Sequence, residues 1–220
     1  MSLVEVEGDL LEAKEKYIVH QTNCRSSTGR GLAKAMFTKF PFANCYANRP
    51  KTWKKRHAQP GTIDIRRGSK KIIVNLFGQD VPGKLEWKPY VYGKLTRDET
   101  QKIRGKWFLE GLRALTDIVK ESSVAFPHQI GCGLAGGNWK HYRKHIENFA
   151  KQTGVDVTIY RLPTSSSSSS SSNSESGTTS KVTKKRTLES FWKKNTTTTK
   201  HSKKRRKDDD DDDNEVIVID

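Results

Sequence analysis

The sequence has no apolar run approaching the roughly 20 residues needed to span a bilayer, so no membrane partner is expected. No charged leader with an apolar core opens the chain at Met1-Ser2-Leu3-Val4-Glu5, and no Gly follows Met1. Neither secretion nor N-myristoylation is therefore expected. Cysteine is scarce: Cys24, Cys45 and Cys132 form an odd set without CxxC spacing. That argues against a disulfide scaffold or zinc knuckle and points to a reducing compartment. Histidines 128, 141 and 145 are scattered, so no metal site is expected. GxxxxGK[ST] does not occur, and Gly131-Cys132-Gly133-Leu134-Ala135-Gly136, although it has GxGxxG spacing, is not read as a dinucleotide fingerprint; neither ordinary ATPase nor dinucleotide-dehydrogenase chemistry is expected, and no cofactor.

What the chain has in excess is positive charge. Its 41 Lys+Arg against 25 Asp+Glu give a formal net charge of +16. Composition changes abruptly after Pro163, where Thr164 leads into an unbroken serine run, Ser165 to Ser172. Such a repeat buries too little apolar surface to offset the entropy of ordering, so a globular domain is expected at 1–163 and a disordered tail at 164–220. The domain holds 29 basic and 15 acidic residues (+14), and the tail 12 and 10 (+2). The net charge thus sits on the domain, and with Lys51, Lys54, Lys55 and Arg56 around Trp53 it permits nucleic-acid binding.

Within the domain, short strands alternate with helices. Strands are expected at Leu3–Val6, Tyr17–Val19, Ser123–Phe126 and Val155–Tyr160, with a hairpin at 62–65 and 71–74 across Arg67-Gly68-Ser69. Helices are expected at Gly31–Phe40, with Leu32, Met36 and Phe40 on one face, and at Asp98–Lys120, with an Ile103, Trp107, Leu112, Leu115, Val119 stripe. A third runs from Asn138 to Gln152, capped by Asn138 and ended near Gly154. The order predicts an α/β domain with a mixed sheet and helices on both faces, and ligands beyond the carboxyl ends of the strands.

Two glycine-bearing loops follow strands and precede helices: residues 19–32, containing Gly29 and Gly31, and residues 127–139, containing Gly131-Cys132-Gly133-Leu134-Ala135-Gly136-Gly137. Glycine admits close backbone approach and helix N-termini favour anions, so the pair suits a pyrophosphate clamp.

These loops, with Glu7-Gly8-Asp9-Leu10, His20-Gln21-Thr22-Asn23 and Val74-Asn75-Leu76-Phe77-Gly78-Gln79, resemble the macro domain family across 1–163. The resemblance implies a three-layer α/β/α fold and ADP-ribose as ligand. It implies that Asp9 and the Leu10 backbone meet the adenine, and that Asn23, Gly29, Gly31, Leu32 and Ala33 surround the distal ribose and part of the diphosphate. Gly131, Cys132, Gly133, Leu134, Ala135 and Gly136 would cradle the phosphates, with Asn75 and Phe77 as contact or packing residues. Asp9 alternatively reads as a turn cap. His20 to Asn23 look most like yeast-type ADP-ribose 1''-phosphate phosphatases, which implies catalysis by His20; Asn23 would position the ribose, and Asp156, by its register in the last strand, is the candidate assisting acid. A packed strand-end histidine is the other reading. The second loop also resembles enzymes that release ADP-ribose from glutamate, but Ala135 stands where those carry an acid.

Three motifs punctuate the tail. Residues 185–192 place Leu188, Phe191 and Trp192 as in ligands of the sliding clamp PCNA, although Lys185 stands where the usual glutamine would. Lys203-Lys204-Arg205-Arg206-Lys207 reads as a nuclear localisation signal, with the cytosol as the other reducing compartment. In 208–220 an aspartate run precedes Val216-Ile217-Val218-Ile219, similar to SUMO-interacting motifs. Three functions stand at this stage: a hydrolase of an ADP-ribose derivative, a non-catalytic ADP-ribose reader at chromatin, and a nucleic-acid-binding module.

Overall fold

The computed structural model describes residues 2–52, 54–120 and 122–163. The tail motifs at 185–192, 203–207 and 208–220 lie outside the described residues. In chain order the elements are β1 (Leu3–Glu7), β2 (Tyr17–Asn23), α1 (Leu32–Lys39), β3 (Ile63–Arg67), β4 (Ile72–Gln79), α2 (Pro89–Tyr92), α3 (Arg97–Thr116), β5 (Ser123–Pro127), α4 (Trp139–Thr153) and β6 (Asp156–Arg161). The strands form one sheet in the order β1-β6-β5-β2-β4-β3, parallel except for the antiparallel β3–β4 hairpin.

β2 and β4 are buried along nearly their whole lengths because the sheet is covered on both faces, and alternate side chains serve different cores. Tyr17, Val19, Val74 and Leu76 join Phe108, Leu112 and Leu115 of α3 and Tyr142, Ile146 and Phe149 of α4. Ile18, Ile73 and Phe77 face the other way, onto Met36 and Phe37 of α1 and onto Leu10, Cys45 and Tyr46. The result is the expected three-layer α/β/α arrangement. The three cysteines are free, and among the described residues no helix is long and apolar enough to cross a membrane.

Helix boundaries follow their caps. Thr96 opens α3 with a reciprocal capping box: its side chain accepts from the Glu99 amide, and the Glu99 carboxylate accepts from the Thr96 amide at 2.8 Å. Asn138 caps α4 by accepting from His141 N, and Gly154 ends it in the left-handed region (φ 71°). Two expected stripes are rotated. In α1 the buried residues are Ala33, Ala35, Met36 and Phe37, whereas Leu32 and Phe40 fall at the helix ends and are only half-buried. In α3, Arg104 and Phe108 take the core-facing positions, and Ile103 and Trp107 sit at the margin.

α3 lies so close to β4 that a Cβ on Gly111 would stand 2.7 Å from Leu76 Cγ. Alanine gains roughly 1 kcal/mol of helix propensity over glycine, but overpacking a rigid branched side chain costs about 1–3 kcal/mol. Gly111→Ala is therefore expected to lower the melting temperature by a few degrees in a thermal scan; a rise would contradict this contact.

Candidate functional site

The carboxyl ends of β1, β6, β5 and β2 open onto a cleft of about 530 Å³, walled by the β2–α1 loop on one side and the β5–α4 loop on the other. Its floor comes from the strand ends: Gly8 and Leu10 after β1, Gln21 of β2, Gln79 of β4, and Tyr160 and Arg161 of β6. The two loops supply Arg30 to Ala33 and, from the second, Gly131, Gly133, Leu134 and Ala135.

The second loop is fixed by its own backbone. Gln129, Gly131 and Gly136 adopt positive φ (55°, 68° and 73°). Cys132 N donates to Gln129 O, Gly136 N to Gly133 O and Gly137 N to Gly131 O. The amides of Gly133, Leu134 and Ala135 donate to no backbone acceptor among the described residues, so three successive N–H groups remain for a ligand at the cleft wall. Unpaired successive amides are available to an anion. Leu134, 57% exposed, adds an apolar rim. On the facing wall Gly31 (φ 53°) precedes α1 without a side-chain cap, so the first amides of α1 also face the cleft end. Arg30 and Arg161 supply guanidinium groups, and Arg161 is shared with Glu5, whose carboxyl it holds below the ordinary range by hydrogen bonding.

His128 lines the cleft with its ring edge-on to Trp139 (5.0 Å) and Nε2 3.7 Å from Glu5 Oε1. Burial lowers its pKa, with Glu5 acting in the opposite direction, which leaves a neutral imidazole at pH 7.

The first loop is tied down from below by polar side chains, of which the sequence had singled out Arg56 alone, as part of the basic patch. Asp80, whose side chain is fully buried, accepts from Arg25 Nε (3.1 Å), Arg56 Nε (2.8 Å) and Tyr92 OH (2.6 Å). Burial pushes its carboxyl up, but the hydrogen bonds from Arg56, Arg25 and Tyr92 outweigh burial and leave the pKa lowered. One carboxylate thus joins the β2–α1 loop, the 45–60 segment and α2. Arg104 of α3 is fully buried and donates to the carbonyls of Val81 and Gly83, which fixes the segment after Asp80; burial lowers its pKa to about 10.

The expected site residues divide into three groups. Leu10, Gly31, Leu32, Ala33, Gly131, Gly133, Leu134 and Ala135 line the cleft. Asp9, between lining residues Gly8 and Leu10, accepts from Leu11 N (2.9 Å), the cap geometry that was its alternative reading.

A second group shapes the walls without lining them. Asn23 Oδ1 accepts from Arg25 N (3.1 Å) and Ser26 N (2.7 Å), while its own N and Nδ2 donate to Tyr46 OH (2.8 and 2.9 Å). That commits the Asn23 amide to folding the loop. Gly29 packs where a Cβ would come within 3.0 Å of Lys34 N, and Gly136 against Lys84. The Cys132 thiol donates to Ile130 O, and burial pushes its pKa up to about 12.

The third group lies away from the cleft. His20 is fully buried on the α1 face, edge-on to Phe37, with Nε2 2.6 Å from Asn75 Oδ1. Asn75 Nδ2 donates to Ala43 O and Asp64 Oδ2, so its Oδ1 must be the acceptor and His20 carries its proton on Nε2. The alternation of β2 decides this placement: His20 follows Ile18 onto the inner face, and packing rather than catalysis accounts for it. Phe77 belongs to the same buried cluster. Asp156, read as the assisting acid, opens β6 at the opposite edge of the sheet, where it accepts from Ser2 N (2.7 Å) and Ser2 Oγ (2.9 Å). A parallel strand presents its ligand-facing residues at its carboxyl end, and Tyr160 and Arg161 hold that place in β6. The same rule applied to every strand end would have found Gln21, Gln79, Tyr160 and Arg161. Among the described residues no group of three His, Cys, Asp or Glu could hold a metal ion.

No family model matches the chain, and no curated protein matches it. Solved structures do. The chain is similar to the macrodomain of Mycobacterium tuberculosis DarG at 23% identity, with a TM-score of 0.54 over 72% of this chain and 97% of that one. It is similar to the macrodomain of Thermus aquaticus DarG at 25% identity, TM-score 0.51, over 73% of this chain and 98% of that one. The described domain has the macrodomain fold. An alphavirus P23pro-zbd structure also aligns, at 20% identity and a TM-score of 0.51, over 74% of this chain and 22% of that one. The central sheet that frames the cleft carries one buried imidazole, His20.

His20 has its pKa lowered by burial from 6.5 to about 4, with the Asn75 hydrogen bond acting in the opposite direction. The unfolded chain therefore takes up this proton first as pH falls, and stability is lost between pH 6.5 and 4. A shift of that size is worth about 3 kcal/mol. In urea unfolding at pH 7 and pH 4.5, the wild-type protein is expected to lose more stability than His20→Gln. Equal losses would show that His20 does not titrate in this way.

Proposed function

We propose that this macrodomain binds ADP-ribose in the cleft at the carboxyl edge of the sheet. The observation that carries the reading is the row of uncommitted amides at Gly133, Leu134 and Ala135, facing the N-terminus of α1 across a cleft that also holds Arg30 and Arg161. Two sets of backbone donors with flanking guanidinium groups suit a diphosphate. The volume of about 530 Å³ falls among small-molecule sites, and the apolar floor at Leu10 and Ile130 suits a base and sugars. The resemblance at Asp9-Leu10 implies the adenine at the β1 end.

Hydrolysis of an ADP-ribose derivative is the second reading, and His128 favours it. No carboxylate or thiol lines the cleft among the described residues, so a protein nucleophile of those kinds is missing and the neutral imidazole of His128 is the group placed to take a proton from water. Substrates of this class are ADP-ribose 1''-phosphate and ADP-ribosylated proteins. The basic surface at Lys51, Lys54 and Lys55 favours contact with nucleic acid as an accessory to this role, Arg56 of that cluster being held by Asp80. The tail is proposed to address the domain: 203–207 to the nucleus, 185–192 to PCNA and 216–219 to SUMO.

Calorimetry is expected to show ADP-ribose binding by the full chain. Gly133→Val, which crowds the amide row at an exposed position, should weaken it at least tenfold. Undiminished binding by that variant would remove the amide row from the site. Parallel assays of phosphate release from ADP-ribose 1''-phosphate and ADP-ribose release from modified protein separate enzyme from reader. Turnover that falls in His128→Ala with binding retained supports the enzyme; binding without either product supports the reader. For the tail, alanine at Val216, Ile217, Val218 and Ile219 is expected to abolish capture on immobilised SUMO, and persistent capture would sink that assignment.

A further inference from the structure

The sheet ends in two open edges, β1 and β3. At β3 the flanking hydrogen bonds fix which backbone groups face outward. Phe77 N donates to Thr62 O (2.9 Å) and Gly68 N to Lys71 O (2.8 Å), on either side of the register that pairs Ile63 with Leu76 and Arg67 with Ile72. Antiparallel pairing alternates, so Asp64 and Arg66 turn their backbone groups to β4, and Ile63, Ile65 and Arg67 turn theirs to the open side. Among the described residues those outward groups have no backbone partner. Such a row templates the pairing of another strand unless something covers it. Ile63 and Ile65 pack against the core, which holds the strand in place for an addition.

Charge selects what can add to each edge. β3 runs into Arg66, Arg67 and Lys70, all exposed. Arg66 is held by Asp64 (2.8 Å), but no acid pairs with Arg67 or Lys70 among the described residues. Phe42, 41% exposed, lies over the turn so closely that a Cβ on Gly68 would stand 2.5 Å from Phe42 Cζ; it sets an apolar surface beside this basic end. The β1 edge is the reverse, with Glu5 and Glu7 along it and Arg161 already shared with Glu5. An acidic strand is therefore repelled from β1 and drawn to β3.

The chain contains such a strand former. Asp208 to Asp213 precede Val216-Ile217-Val218-Ile219, in a segment that lies outside the described residues. Four β-branched residues in a row suit an added strand. Reach is no obstacle. β3 stands about 20 Å across the sheet from β6, where the described chain ends. About 50 residues separate Pro163 from Val216, a contour of roughly 170 Å.

We propose that Val216 to Ile219 add to the open edge of β3 as an antiparallel strand, with the aspartate run against Arg66, Arg67 and Lys70. Charge decides the direction. Antiparallel, the aspartates that precede Val216 pass the Arg67 end of β3; parallel, they would meet the Gly61 end, where the Glu110 carboxylate packs. The addition is intramolecular, so a weak pairing suffices at the high effective concentration of a tethered segment. Docking on β3 also withholds the four residues that SUMO capture would use, so the two contacts exclude each other. Neither contact depends on ADP-ribose binding.

Residue-resolved amide exchange on the full chain tests this through the alternation along β3. Wild type is compared with a variant carrying Val216→Ala, Ile217→Ala, Val218→Ala and Ile219→Ala, and with one in which each of Asp208 to Asp213 becomes asparagine. None of these positions belongs to the described domain. The expected result is that the amides of Ile63, Ile65 and Arg67 exchange about tenfold more slowly in wild type than in either variant, while Asp64 and Arg66 are unchanged. Equal exchange at Ile63, Ile65 and Arg67 in all three proteins overturns the proposal. Slow exchange that survives the asparagine changes overturns it too, because the aspartates then do not hold the strand. Protection that rises with protein concentration would assign the edge to a second copy of the chain instead of its own segment.

Discussion

The end of β2 carries four consecutive polar side chains, His20-Gln21-Thr22-Asn23, in the middle of a sheet covered on both faces. A buried polar group must be hydrogen-bonded or bear the cost of desolvation, and this constraint fixes what each of the four can do. His20 is spent on Asn75, which in turn reaches Ala43 and Asp64 and so joins the hairpin to the α1 layer. Asn23 is spent on Tyr46 and on the amides of Arg25 and Ser26, which gives the first loop its turn. Once these commitments are made, the loop can carry Gly31 and the start of α1 to the cleft wall. The site therefore depends on polar groups that do not themselves enter it.

The arginines follow the same economy. Arg25 and Arg56 converge on Asp80, Arg49 donates to the carbonyls of Asn23 and Ser26, and Arg104 holds the carbonyls after β4. Much of the positive charge near the cleft is thus consumed in pinning irregular backbone, which is what a loop-built site needs from a rigid scaffold. Breaking one partner of a buried pair typically costs about 3–5 kcal/mol, so Asp80 ranks with the core residues although it is charged. Part of the charge that looked like a nucleic-acid signature is thus spent on internal latches and two cleft guanidinium groups, while Lys51, Lys54 and Lys55 stay exposed with other surface lysines.

Local patterns in the sequence carried most of the architecture. The apolar run at 17–19 read as a strand and 62–65 with 71–74 as a hairpin, and Asn138 with Gly154 marked both ends of α4 because capping is a near-neighbour effect. The glycine loop at 131–137 was legible because its spacing between strand and helix is itself the device. The misreadings were non-local. Whether His20 faces the cleft or the core depends on strand parity relative to a layer that sequence does not place. Asp156 lies in the right strand at the wrong end, a distinction visible once the sheet direction is known. Arg104 occupies a core position in a helical stripe where only apolar residues were sought. The Asp80 latch gathers residues 25, 56, 80 and 92, a grouping that only the fold creates.

The central claim is that a diphosphate sits on the amide row of the β5–α4 loop, opposite the start of α1. Hydrogen exchange of the full chain, followed with and without saturating ADP-ribose, tests it most directly because the amides in question are the proposed ligands. The account predicts slowed exchange at residues 133–135 and 31–33, with the 49–56 segment unchanged. No change in the two loops, or protection confined to 49–56, would contradict it.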